Sequence, residues 1–242
     1  MNAVRLGNEI VLSGPPRKIT AIVAIDVART TVVPIAIRIG EQPSIFRGVL
    51  RAIVSGSSEI RLRLPDDMTA GSYAGEATIH GKPQAVIVEV EAAPRLRLQP
   101  RQTTVTVKAA SSVDFVLTLM NSGNVAFDIP KAATIDLDDA DGQDRALGRT
   151  LRAALGTDER RVDRFFEELR ASHGGEARVA VKRGAGRLLP GDVRELACAL
   201  EIPDGVRPGR SYVGAWQIGP SAHVIVTDIM ASARPIRPRA TK

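Results

Sequence analysis

The chain holds one cysteine, Cys198, in 242 residues, which excludes an intrachain disulfide and any cysteine-rich zinc site. A catalytic thiol needs a base beside it, and none lies near Cys198 in sequence. Aromatic residues make up only 3%, with one Trp and two Tyr, so neither a sugar-stacking platform nor an aromatic face for single-stranded nucleic acid is available. No apolar run approaches the length of a membrane span. Ile19 to Ile25, behind Arg17 and Lys18, has the look of a leader core. However, a turn-forming stretch precedes it, Asp26 closes it, and another strand-like run, Val32 to Ile39, follows. It is read as a strand, and the sequence as written points to the cytoplasm, or to the periplasm or cell surface if a leader has been removed. Catalytic signatures are missing too: there is no HExxH, GxSxG, P-loop or GxGxxG opening a helix. His80, His173 and His223 are scattered at element ends and are expected at surface or turn positions. An enzyme is therefore not expected, nor a metal or cofactor.

The chain does carry charge, turns and period-2 alternation. The net charge of +6 comes mostly from Arg interspersed with apolar residues, which predicts a solvated basic surface that can meet an anionic one and disfavours a dedicated nucleic-acid site. Gly (21) and Pro (15) are spread throughout, as in many short strands joined by turns. Ile19 to Val27, Val32 to Ile39, Ile45 to Val54, Glu59 to Leu64, Tyr73 to Ile79 and Ala85 to Val90 read as strands separated by Gly- and Pro-rich turns. A second set follows Pro94: Leu96 to Leu98, Thr104 to Lys108, Val113 to Leu119, Val125 to Ile129, Ala177 to Val181, Val193 to Ile202, Tyr212 to Ile218 and His223 to Ile229. In Val113 to Leu119 the odd positions face a core, and Asn121-Ser122-Gly123-Asn124 is read as a tight turn using positive φ. Leu196, Cys198, Leu200 and Ile202 share one face, and Trp216 points inward with Tyr212 and Ile218.

The two sets match each other. Leu64-Pro65-Asp66 through Ser72-Tyr73-Ala74-Gly75 recurs, with one inserted residue, as Ile202-Pro203-Asp204 through Ser211-Tyr212-Val213-Gly214; from Tyr73 onward the match is ungapped to Val90 and Ile229. Both tyrosines of the chain fall at the same point, after a Pro-Asp turn and a Gly, where Greek-key sandwiches place a tyrosine corner. The expected fold is mainly β: two tandem immunoglobulin-like β-sandwiches, residues 1–93 and 94–230, followed by a basic tail, 231–242. Val105 to Ile129, Leu189-Pro190-Gly191-Asp192 and Pro203 to Tyr212 together resemble bacterial Ig-like accessory domains of the NEW3 and CARDB kind. That resemblance implies a noncatalytic module.

The second sandwich is expected to carry a helical hairpin at about 143–173. Ala146, Leu147, Leu151, Ala154 and Leu155 recur at helical spacing, Gly156 ends that helix and Thr157 caps the next. Val162, Phe165, Phe166 and Leu169 form one face of the second helix, which His173-Gly174-Gly175 ends. This face either packs on the sandwich or, if Phe165 or Phe166 is exposed, binds a partner. Asp136, Asp138, Asp139 and Asp141 fail the EF-hand spacing and read as a solvated acidic loop. Arg234, Arg237 and Arg239 make the tail a candidate contact for an acidic partner. The function expected is that of a structural or adaptor protein binding another protein or itself, as in a bacterial multiprotein assembly. A pilus-type chaperone of two Ig-like domains and an accessory module of a polysaccharide-active system are the alternatives.

Overall fold

A computed structural model describes residues 9–153 and 158–231. The chain divides into two units: Met1–Leu96 with Met120–Phe127 and Leu188–Asp192, and Arg97–Leu119 with Asp128–Arg187 and Val193–Lys242. Strands follow the period-2 pattern closely. In the first unit they are β1 (Ile10–Gly14), β2 (Ile19–Val23), β3 (Thr31–Ile39), β4 (Gln42–Val54), β5 (Ser57–Leu62), β6 (Gly71–Ile79) and β7 (Lys82–Val90). Alternate residues of each point inward, so Val33, Ile35 and Ile37 of β3 are buried while Val32, Pro34 and Arg38 are not. The core so formed is wholly aliphatic at its centre, with Leu12, Ile19, Leu50, Ile60, Leu62 and Val88 each sealed from solvent. Each such side chain is worth about 1.5–3 kcal/mol of burial.

Pairing runs around the first unit in the order β1-β2-β5-β4-β3-β6-β7 and closes, because β1 meets both β2 (antiparallel) and β7 (parallel). The bend after β1 needs Gly14: its φ is +140°, and a Cβ there would lie 2.3 Å from the Lys18 carbonyl oxygen.

The remaining elements are β8 (Leu96–Gln99), β9 (Gln102–Val107), β10 (Ser112–Asn121), β11 (Phe127–Ile129), β12 (Ala132–Asp139), helices α1 (Gly142–Arg152) and α2 (Asp158–Arg170), then β13 (His173–Arg183), β14 (Gly186–Leu188), β15 (Val193–Glu201), β16 (Ser211–Ile218) and β17 (Ser221–Ile229), all in the second unit except the strand ends at Leu96, Met120, Asn121, Phe127 and Leu188. The second unit's sheet order, β8-β10-β15-β13-β12-β16-β17-β9, is that of the first unit strand for strand. The difference is at one edge, where the work of β1 is split between β8, next to β10, and β9, parallel to β17. The β11–β14 pair is an addition.

The repeat seen in sequence is therefore a repeat of register. Ser72 pairs with Glu89 and Ser211 with Asp228; Ile79 pairs with Lys82 and Ile218 with Ser221. Gly75 and Gly214 hold equivalent positions, and in each a Cβ would strike the neighbouring strand, 2.5 Å from the Ala36 oxygen and 2.8 Å from the Asp136 oxygen. Tyr73 donates its hydroxyl proton to the Thr69 carbonyl (2.7 Å), and the Tyr212 hydroxyl oxygen accepts from the Arg207 amide (2.9 Å). Both rings thus close back on the turn just upstream.

Three expectations need correction. β12 runs on through the aspartates to Asp139, because Ile135, Leu137 and Asp139 alternate inward while Asp136 and Asp138 point out. His173-Gly174-Gly175 begins β13 instead of ending a helix; Gly174 is glycine because a Cβ there would sit 2.6 Å from the Tyr212 ring. The Asn121–Asn124 turn makes no use of positive φ, and Gly123 is needed instead for close approach to the backbone of Ala93 and Arg95.

Candidate protein-interaction surface

Helices α1 and α2 leave the sheet between β12 and β13, where the first unit has only the short turn between β3 and β4. The hairpin is held at its root by a buried carboxylate. Asp139, whose side chain is fully buried, accepts from Arg145 Nη1 of α1 (2.8 Å), Arg210 Nη1 ahead of β16 (2.7 Å) and the Asp141 amide (3.1 Å). The Asp139 amide itself donates to the Ser172 carbonyl, closing the base of the hairpin. Gly142 starts α1 because any side chain there would strike Ser172. Ala146 and Thr150, one and two turns on, continue the buried side of the helix.

The second helix is different: none of its residues is buried. Glu168 ties it to α1, accepting from Arg149 Nη1 (2.6 Å) and from Arg164 on its own helix. The Arg149 hydrogen bond holds the Glu168 carboxyl below the usual carboxylate range, with Arg164 adding to it. Of the residues picked out in sequence, Phe165 and Leu169 are half-buried, while Val162 and Phe166 are each 53% exposed one turn apart. The two phenylalanine rings meet edge to face at 5.8 Å. On α1, Leu147 and Leu151 are also exposed, Leu151 by 71%. Both helices therefore carry an uncovered aliphatic or aromatic pair at i, i+4, on a projection anchored by Asp139.

The other candidate residues are placed as follows. The four aspartates do not converge: Asp139 turns inward to its arginines, Asp141 pairs with Arg145, and Asp138 meets His173 Nδ1 at 3.2 Å. Among the described residues no group of three His, Cys, Asp or Glu is arranged to hold a metal ion. His223, expected at the surface, is fully buried in the second unit: it stacks on Phe115 at 6.0 Å, its Nε2 lies 3.0 Å from Thr103 Oγ1, and burial lowers its pKa. Strand alternation sends it inward opposite Trp216. Cys198 is buried, and its thiol is pushed up to about 11. Arg234, Arg237 and Arg239 of the tail lie outside the described residues, as do Ala154, Leu155, Gly156 and Thr157. No helix among the described residues is long and apolar enough to cross a membrane.

Sequence reading missed two buried amides. Asn121 donates to the carbonyls of Val125 and Leu188, and Asn124 donates to the Glu91 carbonyl while accepting from the Ala93 amide, so the turn ties down the 91–95 segment within the first unit. The signal was a pair of asparagines flanking Ser-Gly, which reads equally well as an exposed turn.

No protein-family profile matches the chain, and no curated protein matches it. The NEW3 and CARDB resemblance thus has no matching profile. Similar solved structures include a protein of unknown function from Porphyromonas gingivalis, 11% identical over 93% of this chain and 98% of that one, with a TM-score of 0.31. An I-band fragment of titin is 10% identical over 94% of this chain and 63% of that one, at 0.36. Dpr2 Ig1-Ig2 in complex with DIP-Theta is 13% identical over 93% and 64%, at 0.31.

Proposed function

We propose that this chain is a noncatalytic interaction protein of two immunoglobulin-like units, the second of which presents the α1–α2 hairpin to another protein. The fold part of the reading is supported by strand order. Split between β4 and β3, the first unit's order puts β1, β2, β5 and β4 on one side and β3, β6 and β7 on the other, and their counterparts in the second unit divide as β8, β10, β15 and β13 against β12, β16, β17 and β9. That grouping fits the ABED and CFG strand membership of an immunoglobulin sandwich, with β3 and β4 paired to each other across the division, and Tyr73 and Tyr212 stand where its F strand carries a tyrosine corner.

The observation that carries the functional part is that α2 buries no residue while exposing Val162 and Phe166. An exposed aromatic on a projecting helix suits helix-in-groove recognition, with anchors at i and i+4 entering an apolar groove of the partner. The reactive side chains are engaged in ways that fit a noncatalytic role: Cys198 and His223 serve the core, and His173 faces a single exposed carboxylate. An adaptor or structural subunit in a multiprotein assembly is the role that follows. The test is site-specific photo-crosslinking in cells of the native host. Phe166→p-benzoylphenylalanine should give an adduct of discrete mass, and the same substitution at exposed Lys82 should not. Equal, diffuse labelling from both positions overturns the reading.

A further inference from the structure

Because the two units share one register, their outer faces can be compared residue by residue. On β3 and β4 the outward positions are Val32, Pro34, Ala36 and Arg38 against Val49, Arg47, Ile45 and Pro43. The equivalent outward residues of β12 and β13 include Ala132, Thr134 and Asp136 against Ala180, Arg178 and Glu176, with Asp138 opposite His173. The first face exposes aliphatic carbon, with Ile45 at 75% and Val32 at 61%. Arg38 and Arg47 lie among these residues on the same face and make no ion pair among the described residues; the outward positions of β3 and β4 hold no carboxylate, and those in register with them on the adjoining strands are Glu76 of β6, across from Ala36, and Glu59 of β5, across from Arg51 and bonded to Arg61. The second face has the opposite sign. Asp136, Asp138 and Glu176 are exposed, with Asp136 directly across the strand from Glu176, a like-charge pairing that disfavours the sheet unless a cation relieves it. Beside them is a shallow depression of about 300 Å³, lined by Asp136, Asp138, Val213, Gly214, Ala215 and Val224.

We infer that the β3–β4 face binds the β12–β13 face of a second copy of this chain. The arginines of one copy meet Asp136, Asp138 and Glu176 of the other, and the exposed aliphatic residues, Ile45 above all, cover the valines beside those aspartates. The arginines supply bidentate donors for carboxylates, and two sheet faces of this kind pack side chain against side chain at about 10 Å. A second copy is favoured over an anionic membrane because the basic face carries no aromatic and no lysine at its outward positions, the residues that anchor interfacial proteins. The contact joins two different surfaces, so copies close into a pair through two such contacts or continue into a chain. It uses neither α1 nor α2.

The experiment uses the full chain and two charge-reversed forms, Arg38→Glu/Arg47→Glu and Asp136→Arg/Asp138→Arg, studied by sedimentation velocity. All four positions are exposed, and melting curves check that each form folds. The wild type should associate with rising concentration at low salt and come apart at high salt, since exposed pairs are screened. Each variant alone should associate roughly 100-fold more weakly, because it brings like charges together. Mixed one to one, the two variants should associate again, their reversed faces now being complementary. A wild type that stays monomeric at low salt overturns the inference, as does a folded variant pair that fails to associate on mixing. Self-association kept by both variants and lost in Phe166→Asp assigns the contact to the hairpin and overturns it too.

Discussion

Replacing Tyr212 with Phe should cost more than replacing Tyr73, although the two occupy the same place in the repeat. The difference lies in what each hydroxyl leaves behind. Tyr212 is 1% exposed, and its oxygen is the acceptor for the Arg207 amide at 2.9 Å in a partly buried turn. Its loss strands a backbone donor, at about 1–2 kcal/mol. Tyr73 is half-buried and donates to the Thr69 carbonyl at an exposed site, where water can replace it, so about 0.5 kcal/mol is expected. Trp216, the chain's single tryptophan, is buried in the second unit and reports that unit's unfolding by fluorescence. With a urea dependence of about 1.5 kcal/mol/M for a unit of this size, Tyr212→Phe should lower the Trp216 midpoint by about 1 M. Tyr73→Phe should leave that midpoint within about 0.2 M and lower the first unit's own transition, followed by circular dichroism. A Tyr212→Phe chain whose Trp216 midpoint is unmoved would refute the tyrosine-corner argument.

Two further predictions concern buried groups. Cys198 should resist a water-soluble disulfide reagent at pH 8 in the folded protein and react once the second unit is unfolded in urea, because burial pushes its thiol up to about 11; immediate reaction of the native protein would contradict its placement. His223 has its folded pKa lowered by burial, so its contribution is fully present above the unfolded value near 6.5 and is lost as pH falls from there through the folded value. Melting temperatures measured between pH 7 and 5 should therefore fall more steeply for the wild type than for His223→Leu, and parallel slopes would show that His223 does not titrate in the core.

Much of this architecture could be read from periodicity. The strict alternation of Glu59 to Leu64 and of Val113 to Leu119 places Ile60, Leu62, Phe115, Leu117 and Leu119 inside, as found. The tyrosines gave the register of the last two strands in both units. Strand ends and edges were harder. β1 is five residues long, too short for its alternation to stand out beside Gly14-Pro15-Pro16. The end of β12 was obscured because its outward positions are aspartates, which by composition suggest a loop, while Asp139 is held inward by Arg145 of α1 and by Arg210, which is distant in sequence. His173-Gly174-Gly175 carries the residues of a helix end, and the tertiary reason for Gly174, the Tyr212 ring, is not local. The hairpin's helices were legible from apolar spacing, whereas the exposure of Val162 and Phe166 depends on how the helices dock and could be posed only as an alternative.

The most direct test removes the hairpin. Asp139 and Ser172 already pair across its base, so replacing residues 140–171 with Asn-Gly joins β12 to β13 by a two-residue turn, as a hairpin of this length favours. The partner identified by crosslinking from position 166 is then titrated against this shortened chain. The account predicts a folded second unit, with buried Trp216 emission and a cooperative urea transition, and no measurable binding of that partner. Binding at wild-type affinity by the folded, shortened chain would contradict it.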